Sequence, residues 1–218
     1  MDGSKVGRRL FLAGVAGGVA ATWTAGVPAL AAEVSGMSQN GWAVQPQTAG
    51  ALASHRIEGS NASVTLLSGA VATVLLHVAR RFNYEIGTLQ DGDVTGYTAA
   101  VSGVPFESNY RSGTAIAIKP ACYPAGARGN LFPHEIAAVR DILAECEGVV
   151  RWGGDDKKTP KEGHFQIDVP QGSAALARVA GKIAGWDSSA GQGAGVPADV
   201  FAPARRKAAN ELATRQAG

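Results

Sequence analysis

Apolar and polar positions alternate with two different periods along this chain, and those periods divide it into elements. Val71, Val74, Leu75, Val78 and Phe82 recur at helical spacing, which predicts a helix over 68–82 with one face turned to a core. The spacing returns at Ile136, Val139, Ile142, Leu143 and Cys146, with Pro133 in the first turn and Gly148 as the stop. Leu176, Val179 and Ile183 predict a third helix over 174–186. Short β-prone runs lie between them: 64–67, 114–118, 149–152 and 165–169, the second ended by Pro120. Asp91, Gly92, Asp93 and Gly96 mark turns.

The flanks lack these periods. Lys5, Arg8 and Arg9 precede an uncharged run from Leu10 to Ala32, and Ala29-Leu30-Ala31 has the small-x-small pattern of a cleavage site. Gly7-Arg8-Arg9-Leu10-Phe11-Leu12 resembles the twin-arginine export signal. That resemblance implies that residues 1–31 are a signal peptide. The rest is then secreted or associated with the cell wall, and meets a membrane only during export. An uncleaved anchor is the alternative; the run is long enough to span but weakly apolar, being rich in Gly, Ala and Thr. Residues 32–59 are small and polar and read as an irregular lead-in to a domain over 60–186. Within 187–218, a Gly-rich stretch reads as a flexible linker. The final segment, with Arg205, Arg206 and Lys207, reads as a solvated basic tail, a polar helix being the alternative; its charges suit anionic wall polymers.

Composition narrows the picture in two places. With 218 residues, 45% of them hydrophobic, the chain can bury a core of one domain plus appendages. A formal net charge of +2 leaves no electrostatic footprint for nucleic acid. The two cysteines, Cys122 and Cys146, are an even count that permits one disulfide in an exported protein. Two free thiols behaving as small hydrophobes are the other reading. His77 stands beside the first helical stripe as a packed histidine, and His134 reads as a surface or capping residue.

Two stretches carry the chemistry. Ser108 to Pro120 reads SNYRSGTAIAIKP, and Arg151 to Val169 reads RWGGDDKKTPKEGHFQIDV. Together they resemble the zinc peptidases that cut peptidoglycan stem peptides, a family of D-alanyl-D-alanine carboxypeptidases and L-alanyl-D-glutamate peptidases. The first family motif, Ser-x-His-x-x-Gly-x-Ala-x-Asp, is met by Ser108, Gly113 and Ala115, with Asn109, Ile116, Ile118 and Pro120 also in place. The second, Trp-Gly-Gly-Asp-Trp followed by Asp/Glu-x-x-His-Phe, is met by Trp152, Gly153, Gly154, Asp155, His164 and Phe165, with Gln166 after them. Two motifs in order are more specific than one. The resemblance spans about residues 64–169. It implies an α+β fold, a small antiparallel sheet with packed helices and a cleft across the sheet.

The departures fall on the reactive positions. Tyr110 and Ala117 replace two metal ligands, Lys161 replaces the general base, and only His164 is kept. A catalytic zinc takes about three protein ligands and an open position. Alanine offers no donor, and tyrosine ligates only as a phenolate, against a reference pKa of about 10. A lysine ammonium has no lone pair with which to accept a proton. The resemblance therefore implies a pseudo-peptidase with no expected cofactor. Tyr110, Lys161 and His164 would bind a stem-peptide carboxylate, with Lys161 leaving the cleft floor positive. The alternative is an active metallopeptidase whose zinc has moved to the carboxylate-rich loop of Asp155, Asp156, Glu162 and His164.

Overall fold

Alternation along two adjacent strands decides where the core lies. Strands β4 (Ala115–Ile118) and β6 (His164–Ile167) pair antiparallel, with Ala115 opposite Gln166, Ile116 opposite Phe165 and Ala117 opposite His164. Successive side chains leave opposite faces of a strand. Ile116, Ile118, Phe165 and Ile167 therefore share one face and join the main core. Ala115, Ala117, His164 and Gln166 share the other and form the floor of the candidate site. These relations come from a computed structural model that describes residues 36–100 and 103–217. The signal segment expected over 1–31 lies outside the described residues.

β3 (Val94–Thr95) and β5 (Val150–Trp152) complete an antiparallel sheet of order β3-β4-β6-β5. Helix α1 (Ala70–Glu85) lies on β4 and β6. α3 (Pro133–Glu145) packs between α1 and β5, and α4 (Ala174–Asp187) covers α1 from outside. α2 (Ser108–Arg111) is a single turn leading into β4. The three apolar stripes read from the sequence are buried, apart from the partly buried Ile136. Phe82 of α1 meets Phe165 of β6 edge to face at 6.5 Å between ring centroids. The chain is thus an α+β protein with a small antiparallel sheet and several helices. Among the described residues no helix is long and apolar enough to cross a membrane.

The lead-in is not irregular. β1 (Leu52–Arg56) pairs antiparallel with β2 (Ser63–Leu67), and Trp42 is buried in the main core, donating its indole N–H to the Val169 carbonyl at 2.8 Å. Main-chain pairing and one tryptophan anchor this segment, and neither produces a hydrophobic period. The hairpin docks beside β3, where the Tyr97 N–H donates to the Thr65 carbonyl at 2.7 Å. Only glycine fits at position 96, because a Cβ there would fall 2.2 Å from that same oxygen.

The tail is likewise not a solvated appendage. α5 (Pro203–Ala217) docks on α3, burying Ala209 and Leu212. Arg205 donates to Asp141 and to Glu145, at 2.7 Å in each case. Its apolar stripe is only two residues wide, so its periodicity is invisible, and ion pairs supply much of the remaining contact. Arg206 and Lys207 stay exposed. Burial alone would raise the Glu145 pKa, but the hydrogen bond with His77 and the charges of Arg81 and Arg205 hold it well below the usual range. His77 itself is fully buried and leans on Trp186 at 5.7 Å.

The disulfide expected between Cys122 and Cys146 is not formed; both thiols are free. Cys146 is part of the core at the end of α3, whereas Cys122 is exposed on the loop after β4. Burial pushes the Cys146 thiol up to about 12, so it is unreactive at neutral pH.

Candidate functional site

Tyr110, Ala117 and His164 meet on the second face of the sheet. Ala117 stands opposite His164 by strand register, and Tyr110 packs with Ala115 and Ala117. The stretch 108–120 is not strand from its start. A 3₁₀ turn over Pro105–Glu107 and the single turn of α2 lift Tyr110 over the sheet before β4 begins. After β5 the chain turns back closely. A Cβ on Gly153 would fall 2.7 Å from the Lys161 carbonyl oxygen and 2.8 Å from the His164 Cβ, so this motif glycine lets the turn close.

Both nitrogens of His164 are engaged. The Tyr110 hydroxyl lies 2.6 Å from Nδ1, and Nε2 lies 2.9 Å from the Gln166 side-chain oxygen. That oxygen accepts, so Nε2 carries the proton, and Nδ1 accepts from the tyrosine. Asn109 donates to the same Gln166 oxygen at 2.8 Å and to the side-chain oxygen of Gln39 at 2.9 Å. The Gln166 amide donates to Gln39 at 3.2 Å, closing the network. Burial lowers the His164 pKa to about 4 against the opposing pull of its Gln166 bond, so the ring is neutral at neutral pH. Burial, with the Glu107 charge adding to it, raises the Tyr110 pKa, so the hydroxyl stays protonated and supplies no phenolate.

Lys161 corrects the sequence-based expectation most sharply. Its Nζ pairs with Glu107 at 2.8 Å, both side chains being nearly buried, and it lies 5.2 Å from the centre of the Tyr110 ring. The positive cleft floor expected to hold a peptide carboxylate is instead an internal ion pair. An unpaired buried ammonium costs several kcal/mol, and the pairing with Glu107 offsets part of that cost. Nothing in the sequence marks Glu107 as the partner, because it precedes the matched motif.

The relocated metal constellation is not assembled either. Asp155 grips the guanidinium of Arg140, which lies 4.9 Å from the centre of the Trp152 ring. Asp156 accepts from the Lys158 and Thr159 backbone at 2.9 and 2.7 Å. Glu162 accepts from the Gly129 and Asn130 backbone at 2.9 and 2.8 Å. Among the described residues no three His, Cys, Asp or Glu side chains are grouped to hold a metal.

What remains open is a hollow of ≈ 80 Å³ lined in part by Gln39, Phe106, Trp152, His164 and Gln166. Phe106 lies against the imidazole at 4.5 Å between centroids, and His164 is only 1% exposed. The lead-in contributes more than the sequence announces. The Asn40 backbone N–H donates to Asn109 at 2.9 Å, and its amide donates to Thr114 and to the Ile167 carbonyl, both at 2.8 Å. The only trace of this in the sequence is the turn-prone Gln39-Asn40-Gly41. The site offers neutral donors and acceptors, an internal ion pair and room for a small group. No protein-family model, curated protein or solved structure matches this chain.

Proposed function

We propose that the chain is an exported, cell-wall-associated protein whose D-alanyl-D-alanine carboxypeptidase-like domain binds peptidoglycan stem peptides without cleaving them. Export rests on the paired Arg8-Arg9 and the small residues at 29–31. The single observation that carries the non-catalytic reading is the state of His164. Its two nitrogens are taken by Tyr110 and Gln166, its pKa is lowered to about 4, and neither Tyr110 nor Ala117 supplies a second ligand. A lone neutral imidazole does not hold zinc, and Lys161, paired with Glu107, is not a base. Binding therefore falls to the hollow, where Gln39, Phe106 and Gln166 stand beside Arg151, Asp155 and Asp156 and suit the end of a short peptide.

The test is a pull-down on purified sacculi with the exported form of the chain, followed by mass analysis of the released material and zinc determination. Retention on sacculi, intact stems and well under one zinc per chain are expected. Shortened stems, or stoichiometric zinc lost in His164→Ala, would overturn the reading.

A further inference from the structure

We propose that the groove between the Asp155–Lys158 loop and the last turns of α5 binds a phosphate-bearing ligand through Lys157 and Lys158. The groove has a volume of ≈ 820 Å³; Arg128, Arg151, Lys157 and Lys158 stand on one side and Thr214 and Gln216 on the other. It shares Arg151, Asp155 and Asp156 with the hollow beside His164, yet its chemistry is different. Among the described residues, five cations line it against two carboxylates.

How those charges are already used selects the ligand. The Arg140 fork is closed on Asp155, and Arg151 Nε lies 3.0 Å from each oxygen of Asp168. Arg128 donates to the Asp156 carbonyl. Guanidinium groups match carboxylate and phosphate alike, and here those of Arg140, Arg151 and Arg128 are already bonded within the chain, Arg151 also reaching the Gln216 carbonyl at 3.4 Å across the groove. Lys157 and Lys158 are exposed, and among the described residues no carboxylate pairs with either ammonium. An ammonium meets an oxyanion as a point charge, and a phosphate brings more charge and more acceptor oxygens than a carboxylate to two ammoniums on consecutive residues. The volume exceeds what one phosphate fills and falls in the range of small-molecule sites, so the phosphate is carried on a larger polar body. This site does not depend on the stem-peptide reading, since it uses other residues and another ligand chemistry.

Calorimetric titration of the full chain tests it, with inorganic phosphate, glycerol 3-phosphate, a short glycerol-phosphate oligomer and a glutamate oligomer of equal charge. The phosphate oligomer or the monoester should bind tighter than the glutamate oligomer, and whichever of the two wins identifies a diester or a monoester source. The double variant Lys157→Gln, Lys158→Gln should lose roughly tenfold or more in affinity, as expected for charge-assisted contacts. Lys207→Gln, on the exposed side of α5, should leave binding unchanged. Equal binding of the glutamate oligomer, an equal loss in Lys207→Gln, or no phosphate binding would each overturn the proposal.

Discussion

At the scale of single residues, the floor of the candidate site is held by a hydroxyl and an imidazole bonded to each other. Removing that hydroxyl in Tyr110→Phe leaves Nδ1 of His164 buried without a donor, a loss of about 1–3 kcal/mol. Urea unfolding at pH 7 measures it, and an unchanged midpoint would mean that the bond adds nothing. The imidazole also sets a pH dependence. Its folded pKa, about 4, lies below the unfolded value of about 6.5. Above that value both states are neutral and stability is complete. Between 6.5 and 4 the unfolded chain takes up a proton that the folded chain refuses, so stability falls by roughly 3 kcal/mol. In His164→Gln the slope of unfolding free energy against pH should flatten across that window by close to one proton. A variant with the parental slope would place the titration elsewhere.

At the scale of elements, helices and strands differ in how plainly the sequence declares them. α1, α3 and α4 were legible because each buries a continuous stripe, and β4 and β6 because each is a short β-prone run, the first ended by Pro120. β1 and the docking of α5 were not, because main-chain pairing holds the first and ion pairs with two small contacts hold the second. Gln39, Asn40 and Glu107 escaped for the same reason: each acts on a partner distant in sequence, and such contacts have no period. The docking of α5 is therefore a direct test of the buried charge network. Arg81 donates to Asp141 at 2.9 Å, and Arg205 joins the same carboxylate, which is 2% exposed. Arg205→Ala should cost about 1–3 kcal/mol, since Asp141 keeps only one of its partners. Hydrogen exchange should quicken in α5 and leave β4 and β6 as protected as before. Equal acceleration in the sheet would show that α5 does not open on its own.

At the scale of the whole molecule, the scaffold and the reactive positions can be separated by experiment. Ala117 and Tyr110 stand next to His164, so Tyr110→His with Ala117→Asp should gather a second and third ligand around it. Lys161→Glu puts a carboxylate beside them but leaves it against Glu107, so Glu107→Gln must accompany it. Zinc measured after dialysis should approach one per chain in the fourfold variant; no gain over the parent would show that the three side chains do not converge on one point. The two ends of the sheet have a further bearing on how the chain behaves in company. β3 is shielded by the β1–β2 hairpin through the Tyr97–Thr65 bond. At the other end the Gln216 amide donates to the Val150 carbonyl at 2.9 Å, on the outer edge of β5. A strand whose outer hydrogen-bonding groups are left bare invites pairing by another copy. The last turn of α5 thus serves as a stopper, and a chain clipped before residue 203 should pair with a second copy through β5, giving dimers in sedimentation as its concentration rises.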